Sequence, residues 1–176
     1  MRRGGTCLAI LVALALLTPQ VARGCSCGGI AGLLETGPHA VHIVEARVLS
    51  HHPAPQGTLA ESIVVQVVHP LRGSLSGEVR LYGSGQGDCT VSVSRYEVGG
   101  TFLFLLGESY DLALPEKPGY ALYGVCAAVS AKVLGRKIEG VFESTKRGQA
   151  SRIRTMSLRE YLRAVGGAEQ PKGDHR

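Results

Sequence analysis

Five cysteines stand in this chain of 176 residues, and four of them, Cys25, Cys27, Cys89 and Cys126, follow an apolar N-terminal run. Thiols offer crosslinking, metal binding and redox exchange. Four cysteines allow three pairings. A bond between Cys25 and Cys27 would close a very tight ring at poor disulfide geometry. Either other pairing staples the Cys25-Ser26-Cys27 triplet to Cys89 and Cys126, across loops of roughly 60 to 100 residues worth on the order of 4 kcal/mol in chain entropy. A chain cut just before Cys25 then carries a free α-amine held rigidly at the surface, and such an amine can bind a metal in another protein. A zinc site of four thiolates lacks the usual paired CxxC knuckles. A redox dithiol needs a thiol of lowered pKa in a prepared setting, which the sequence does not display.

The other reactive side chains suggest less chemistry. His51 and His52 are adjacent on the chain, so their rings do not converge on one ion, and a solvated loop is expected. His39, His42 and His69 have no carboxylate at ligand spacing and read as surface positions. Ser92 and Ser94 have no histidine and aspartate arranged to suggest a triad. The stretch Gly83 to Gly87 (GSGQG) lacks the Lys-Ser/Thr of a phosphate loop and opens no helix.

The first 24 residues carry the three parts of a secretory signal: Arg2 and Arg3, an apolar run of 11 residues from Cys7 to Leu17, and small residues Ala22 and Gly24 before Cys25. The run is shorter than the about 20 residues a bilayer span needs. Removal of 24 residues leaves 152, enough for one domain with a real core. It also removes three arginines, taking the net charge from +5 to about +2, so the basic balance does not argue for nucleic acid. An exported protein with four cysteines fits two bridges. A lipoprotein site is not expected, because Ala22 and Arg23 stand where lipidation wants Leu and a small uncharged residue. The expected organisation is a signal peptide over 1–24, one domain over 25–167 and a flexible tail over 168–176, the product being secreted, extracellular or periplasmic.

The elements that must position the cysteines read as β-rich. Val41 to Leu49 and Ser62 to Val68 are β-branched runs of strand length, separated by a Pro- and Gly-containing loop from His51 to Ala60. Glu78 to Tyr82 alternates charge and apolar groups, as a half-buried strand does. A glycine-rich segment leads into Cys89, a turn falls near Gly99-Gly100, and Thr101 to Leu106 and Tyr120 to Ala127 follow as apolar strands. Lys137 to Glu143 adds a short one. Ser157 to Val165 predicts a helix capped by Ser157 with Glu160 three residues on, and Leu158, Tyr161, Leu162 and Val165 make its apolar face. Lys and Arg between Lys132 and Arg163 alternate with other types and predict a solvated face. About five strands and a following helix predict a mainly β fold, a five-stranded closed barrel of the OB type with a C-terminal helix, with a β-sandwich as the alternative.

Cys25-Ser26-Cys27 directly after the signal, Cys89 followed by a strand and Gly99-Gly100, and then Cys126 resemble the N-terminal inhibitory domain of the tissue inhibitors of metalloproteinases, within the wider netrin-like group. The segment Tyr82 to Gly107 carries the closest likeness, which extends over residues 25–127, and the chain is similar to single-domain bacterial-type relatives. The resemblance implies the pairs Cys25–Cys89 and Cys27–Cys126. It also implies that the amino and carbonyl groups of Cys25 chelate the catalytic zinc of a target protease and displace its water. Ser26 would enter the primed pocket, Cys27 would complete the binding segment, and Gly87 and Asp88 would line the other side of the cleft. The family's third disulfide and its disulfide-rich C-terminal domain are absent, and the loop from His51 to Ala60 has no evident anchor residue. Asp88 suits only some enzymes. On this reading the protein is not an enzyme, has no cofactor beyond the target's zinc, contacts neither nucleic acid nor, after signal removal, a membrane, and is a monomer. The alternative is a netrin-like scaffold module whose CxC is only a staple. An exported thiol-disulfide enzyme is a third.

Overall fold

Apolar side chains at every position from Phe102 to Leu106 require a strand buried on both faces, and the fold is organised around that strand. The computed structural model describes residues 27–53, 61–83, 92–107, 119–122 and 126–166. Among these, ten strands form: β1 (Gly29–Ile30), β2 (His42–His52), β3 (Ser62–Arg72), β4 (Glu78–Tyr82), β5 (Thr101–Leu106), β6 (Tyr120–Ala121), β7 (Ser130–Leu134), β8 (Lys137–Val141), β9 (Thr145–Lys146) and β10 (Ile153–Ser157). Two α-helices accompany them, α1 (Leu33–Thr36) and α2 (Leu158–Ala164), with 3-10 turns at Gly37–His39 and Val93–Arg95. The protein is therefore mainly β, with one large sheet and a C-terminal helix.

That sheet has eight strands in the order β10-β8-β7-β5-β2-β3-β4-β6, antiparallel except for the parallel pair β4–β6. β2 is shared by β3 and β5, and three register shifts along its pairing with β3 bend it. The bend lets Val44, Ala46 and Val48 join Phe102, Phe104, Leu106, Ile63, Val65 and Leu81 in a first core. Leu103 and Leu105, on the opposite face of β5, meet Ile43, Ala131, Ile138 and Tyr161 in a second. Each such buried side chain contributes about 1.5–3 kcal/mol of transfer free energy.

α2 closes the second core, as its apolar stripe predicts: Tyr161 and Val165 are buried, and Leu158 and Leu162 pack at the margin. The Ser157 hydroxyl accepts from the Glu160 amide at 3.1 Å and caps the helix. The Tyr161 hydroxyl donates to the Leu33 carbonyl, and burial raises the pKa of that phenol and of Tyr96. Arg72 ties the helix end to the first turn, donating to the Gly37 carbonyl at 2.7 Å and the Val165 carbonyl at 2.5 Å.

Four sequence expectations need correction. Strand pairing continues through His51 and His52, which face Ile63 and Ser62, so these histidines belong to the hairpin rather than its loop. A 3-10 turn over Val93–Arg95 occupies the end of the segment expected to be a strand after Cys89. His42 is not a surface residue: its ring is half-buried edge-on to Tyr120, and its Nδ1 is enclosed without a partner. Ten strands stand among the described residues where about five were expected, because the two-residue β1 and β9, and β7 and β10 with charged residues among their apolar ones, do not read as strands alone. The basic residues from Lys132 to Arg163 are exposed, and no described helix is long and apolar enough to cross a membrane.

Candidate functional site: the anchored segment after the CSC triplet

The chain from Cys27 to Gly32 is held by more bonds than its length suggests. Cys27 is disulfide-bonded to Cys126, with Cα atoms 5.4 Å apart and a separation of 99 positions in sequence. β1 pairs antiparallel with β9, placing Gly29 opposite Lys146 and Ile30 opposite Thr145. Ala31 bridges in parallel to Ala127: its amide donates to the Cys126 carbonyl at 2.9 Å, and the Ala128 amide returns a bond to its carbonyl at 2.7 Å. The Arg147 amide donates to the Gly28 carbonyl at 2.8 Å. The segment is thus clasped from both sides by stretches about 100 residues downstream.

Glycine makes this approach possible. A Cβ at Gly29 would lie 2.0 Å from the Thr145 carbonyl oxygen, and one at Gly32 would lie 2.2 Å from that of Phe142. Both obstacles are backbone, so no side-chain rotation relieves them. The Gly32 amide donates to the Ser144 hydroxyl, which in turn donates to Glu35, and the Leu34 amide bonds the Phe142 carbonyl. α1 therefore fixes the downstream end of the segment as firmly as the disulfide fixes its start.

Cys27 is half-buried and Cys126 exposed, so the crosslink sits at the surface. Residues 25 and 26 precede this anchor directly. Two residues span about 7 Å at full extension, which is the covalent limit on the distance between the Cys25 and Cys27 Cα atoms. Cys25, Ser26, Gly87, Asp88 and Cys89 lie outside the described residues, as does the expected Cys25–Cys89 bridge. Of the expected site residues, Cys27 and Cys126 are brought together.

β1, β9 and the two close-approach glycines hold the candidate segment in place, and sequence reasoning missed them. The only local signal was Gly28-Gly29 immediately after the triplet. Among the described residues no three His, Cys, Asp or Glu side chains gather to hold a metal. His51 bonds the Tyr96 carbonyl at 2.6 Å and His52 the Ser50 hydroxyl at 3.0 Å, so each ring has its own partner. His69 is exposed beside Glu45, and Ser92 and Ser94 bond each other at 2.8 Å. No protein-family model matches the chain, and no curated protein matches it at a significant level.

Proposed function

We propose that this protein is an exported inhibitor of a zinc metalloprotease that acts through the backbone of Cys25. On this reading residues 1–24 are removed, and the new α-amine and the Cys25 carbonyl take the place of the zinc-bound water in the target. The amine must be neutral to donate its lone pair, and an ordinary α-amino pKa of about 7.7–8.0 makes that inexpensive near neutral pH. Ser26 enters the adjoining pocket of the enzyme. Gly87 and Asp88 flank the cleft, joined to Cys25 through Cys89.

The observation that carries this reading is the double fixation of the segment after the triplet. The Cys27–Cys126 disulfide and the bonds of Gly28 and Ala31 leave two residues to order when the terminus enters an active site. A flexible terminus would lose affinity for each side chain it had to immobilise, at about 0.5–1.5 kcal/mol apiece. The long-range Cys27–Cys126 disulfide also agrees with export into an oxidising compartment.

The finer fold belonging to this reading is an OB-type closed barrel. What supports it is the pairing of residues 120–122 and 129–134. β6 pairs with β4, extended by the Leu122 amide bonding the Tyr82 carbonyl, while β7 pairs with β5, extended by the Leu105 amide bonding the Val129 carbonyl. Together β6 and β7 take the place of one strand that meets both ends of the run β5-β2-β3-β4.

The test compares the chain beginning at Cys25 with the same chain extended by one alanine, against a panel of zinc metalloprotease catalytic domains. The unextended form inhibits at least one of them. The extension buries the amine in a peptide bond and raises the inhibition constant by about 100-fold or more, the cost of a lost metal ligand in a well-fitted site. Equal potency of the two forms, or no inhibition by either, refutes the proposal. The second outcome leaves the netrin-like scaffold reading.

A further inference from the structure

On the face of the sheet opposite α2, β5 buries Phe102 in the first core, but its neighbours carry that face beyond the core's edge. Phe102 stands opposite Lys132, Lys132 opposite Glu139, and Glu139 opposite Thr155, forming a shelf across β7, β8 and β10. Ile30 and Ala127 line the same space, which encloses about 390 Å³. Its walls are apolar and polar in about equal parts, the apolar side including Ile30, Phe102, Val129 and Val141, and Ile153 is 70% exposed.

The polar groups that line it are donors in excess. The Tyr96 and Ser130 hydroxyls lie 2.9 Å apart, so one of their two protons is used between them and the other has no acceptor among the described residues. Burial keeps the Tyr96 phenol protonated. The Ser151 hydroxyl is enclosed and has no partner. Arg95, whose guanidinium lies 5.7 Å from the Tyr96 ring centroid, forms no ion pair with a described residue. The lining also holds one carboxylate, Glu139, in register with Lys132 across the β7–β8 ladder, and the Lys132 ammonium pairs with Glu97 at 3.5 Å. Spare O–H donors beside a guanidinium without a carboxylate suit an acceptor-rich anionic group, and the apolar side suits a short hydrocarbon body.

We propose that this cavity binds a small amphipathic carboxylate, its head group held by Arg95 and the Ser130, Tyr96 and Ser151 hydroxyls and its body against Ile30, Phe102 and Val141. At about 30 Å³ per water-sized group the space holds roughly 13, which suits a ligand of about ten non-hydrogen atoms. The site does not depend on the metalloproteinase reading and needs no free Cys25 amine.

The probes are sodium octanoate and 3-phenylpropionate, with octanamide and octylamine as neutral and cationic counterparts, titrated at up to millimolar concentration into the isotopically labelled protein. Saturable shifts at Ile30, Ser130 and Val141 are expected for a carboxylate, with octanamide binding at least about tenfold more weakly and octylamine not at all. Arg95→Gln and Ser151→Ala each remove only the end of a side chain and should weaken carboxylate binding by about tenfold, the usual scale for a hydrogen bond to a charged group. Arg95 lies on an exposed turn, so that variant retains the fold. The proposal is overturned if neither carboxylate gives saturable shifts, if the shifts map away from the cavity, if octylamine binds equally well, or if Arg95→Gln binds like the parent.

Discussion

Replacing Cys27 and Cys126 together by serine tests how the N-terminal segment is held. The crosslink closes a loop of 99 residues, and for about 100 residues the chain-entropy model assigns roughly 4.7 kcal/mol to the freedom it removes from the unfolded chain. Little native-state loss should add to this, because Cys27 is half-buried and Cys126 exposed, and serine is nearly the same size. Besides the β1–β9 pairing, three backbone bonds remain to hold the segment: Ala31 to Cys126, Ala128 to Ala31 and Arg147 to Gly28. At about 0.5–1.5 kcal/mol each they are enough to keep β1 docked. The double variant should therefore fold with native dispersion but unfold about 4–5 kcal/mol more easily, a large share of the about 5–15 kcal/mol typical of a domain. With a urea m-value near 2 kcal/mol/M, within the usual range of about 1–3, the midpoint drops by about 2 M. Equilibrium urea unfolding under non-reducing conditions reads this directly. A double variant within about 1 kcal/mol of the parent would refute the reasoning, since the crosslink would then constrain nothing that the unfolded chain explores.

Two further outcomes follow from named contacts. Burial raises the Tyr96 and Tyr161 phenols above their ordinary value, so above about pH 10 the unfolded chain loses its protons first and stability falls as pH rises, by about 1.4 kcal/mol per pH unit for each tyrosine. Denaturant midpoints measured from about pH 9 upward should show this slope, and Tyr161→Phe should remove about half of it; a flat profile contradicts the burial argument. Gly29→Ala drives a Cβ into the Thr145 carbonyl, forcing β1 off β9 at a cost of about 1–3 kcal/mol. Hydrogen exchange at Ile30 and Arg147 should accelerate while β5 amides stay protected, and unchanged exchange would mean the close approach is not required.

Much of the scaffold was legible because its signals are local. The β-branched runs of β2 and β3, the alternation in β4 and the apolar β5 each report which side of a strand faces a core. The Ser157 cap and the Tyr161–Val165 stripe do the same for α2. β7 and β10 were not legible in that way. Lys132 on β7 points away from the second core, and on β10 Met156 alone packs against it, so a core supplied by β5 decides their conformation. His42 was misread for a related reason: nothing beside it in sequence reports that Tyr120 covers its ring.

The triplet at Cys25, the apolar leader before it, the strand propensities and the helix cap are properties of neighbouring residues, and the sequence alone determined them. Which cysteine Cys27 meets, why Gly29 and Gly32 must be glycine, and how Ile30, Ser130 and Ser151 come to line one cavity were decided by the tertiary structure. The physical reason is distance along the chain. Most of those contacts join residues about 100 positions apart, and β1 meets β9, in a two-stranded sheet of their own, only once the chain between them has folded.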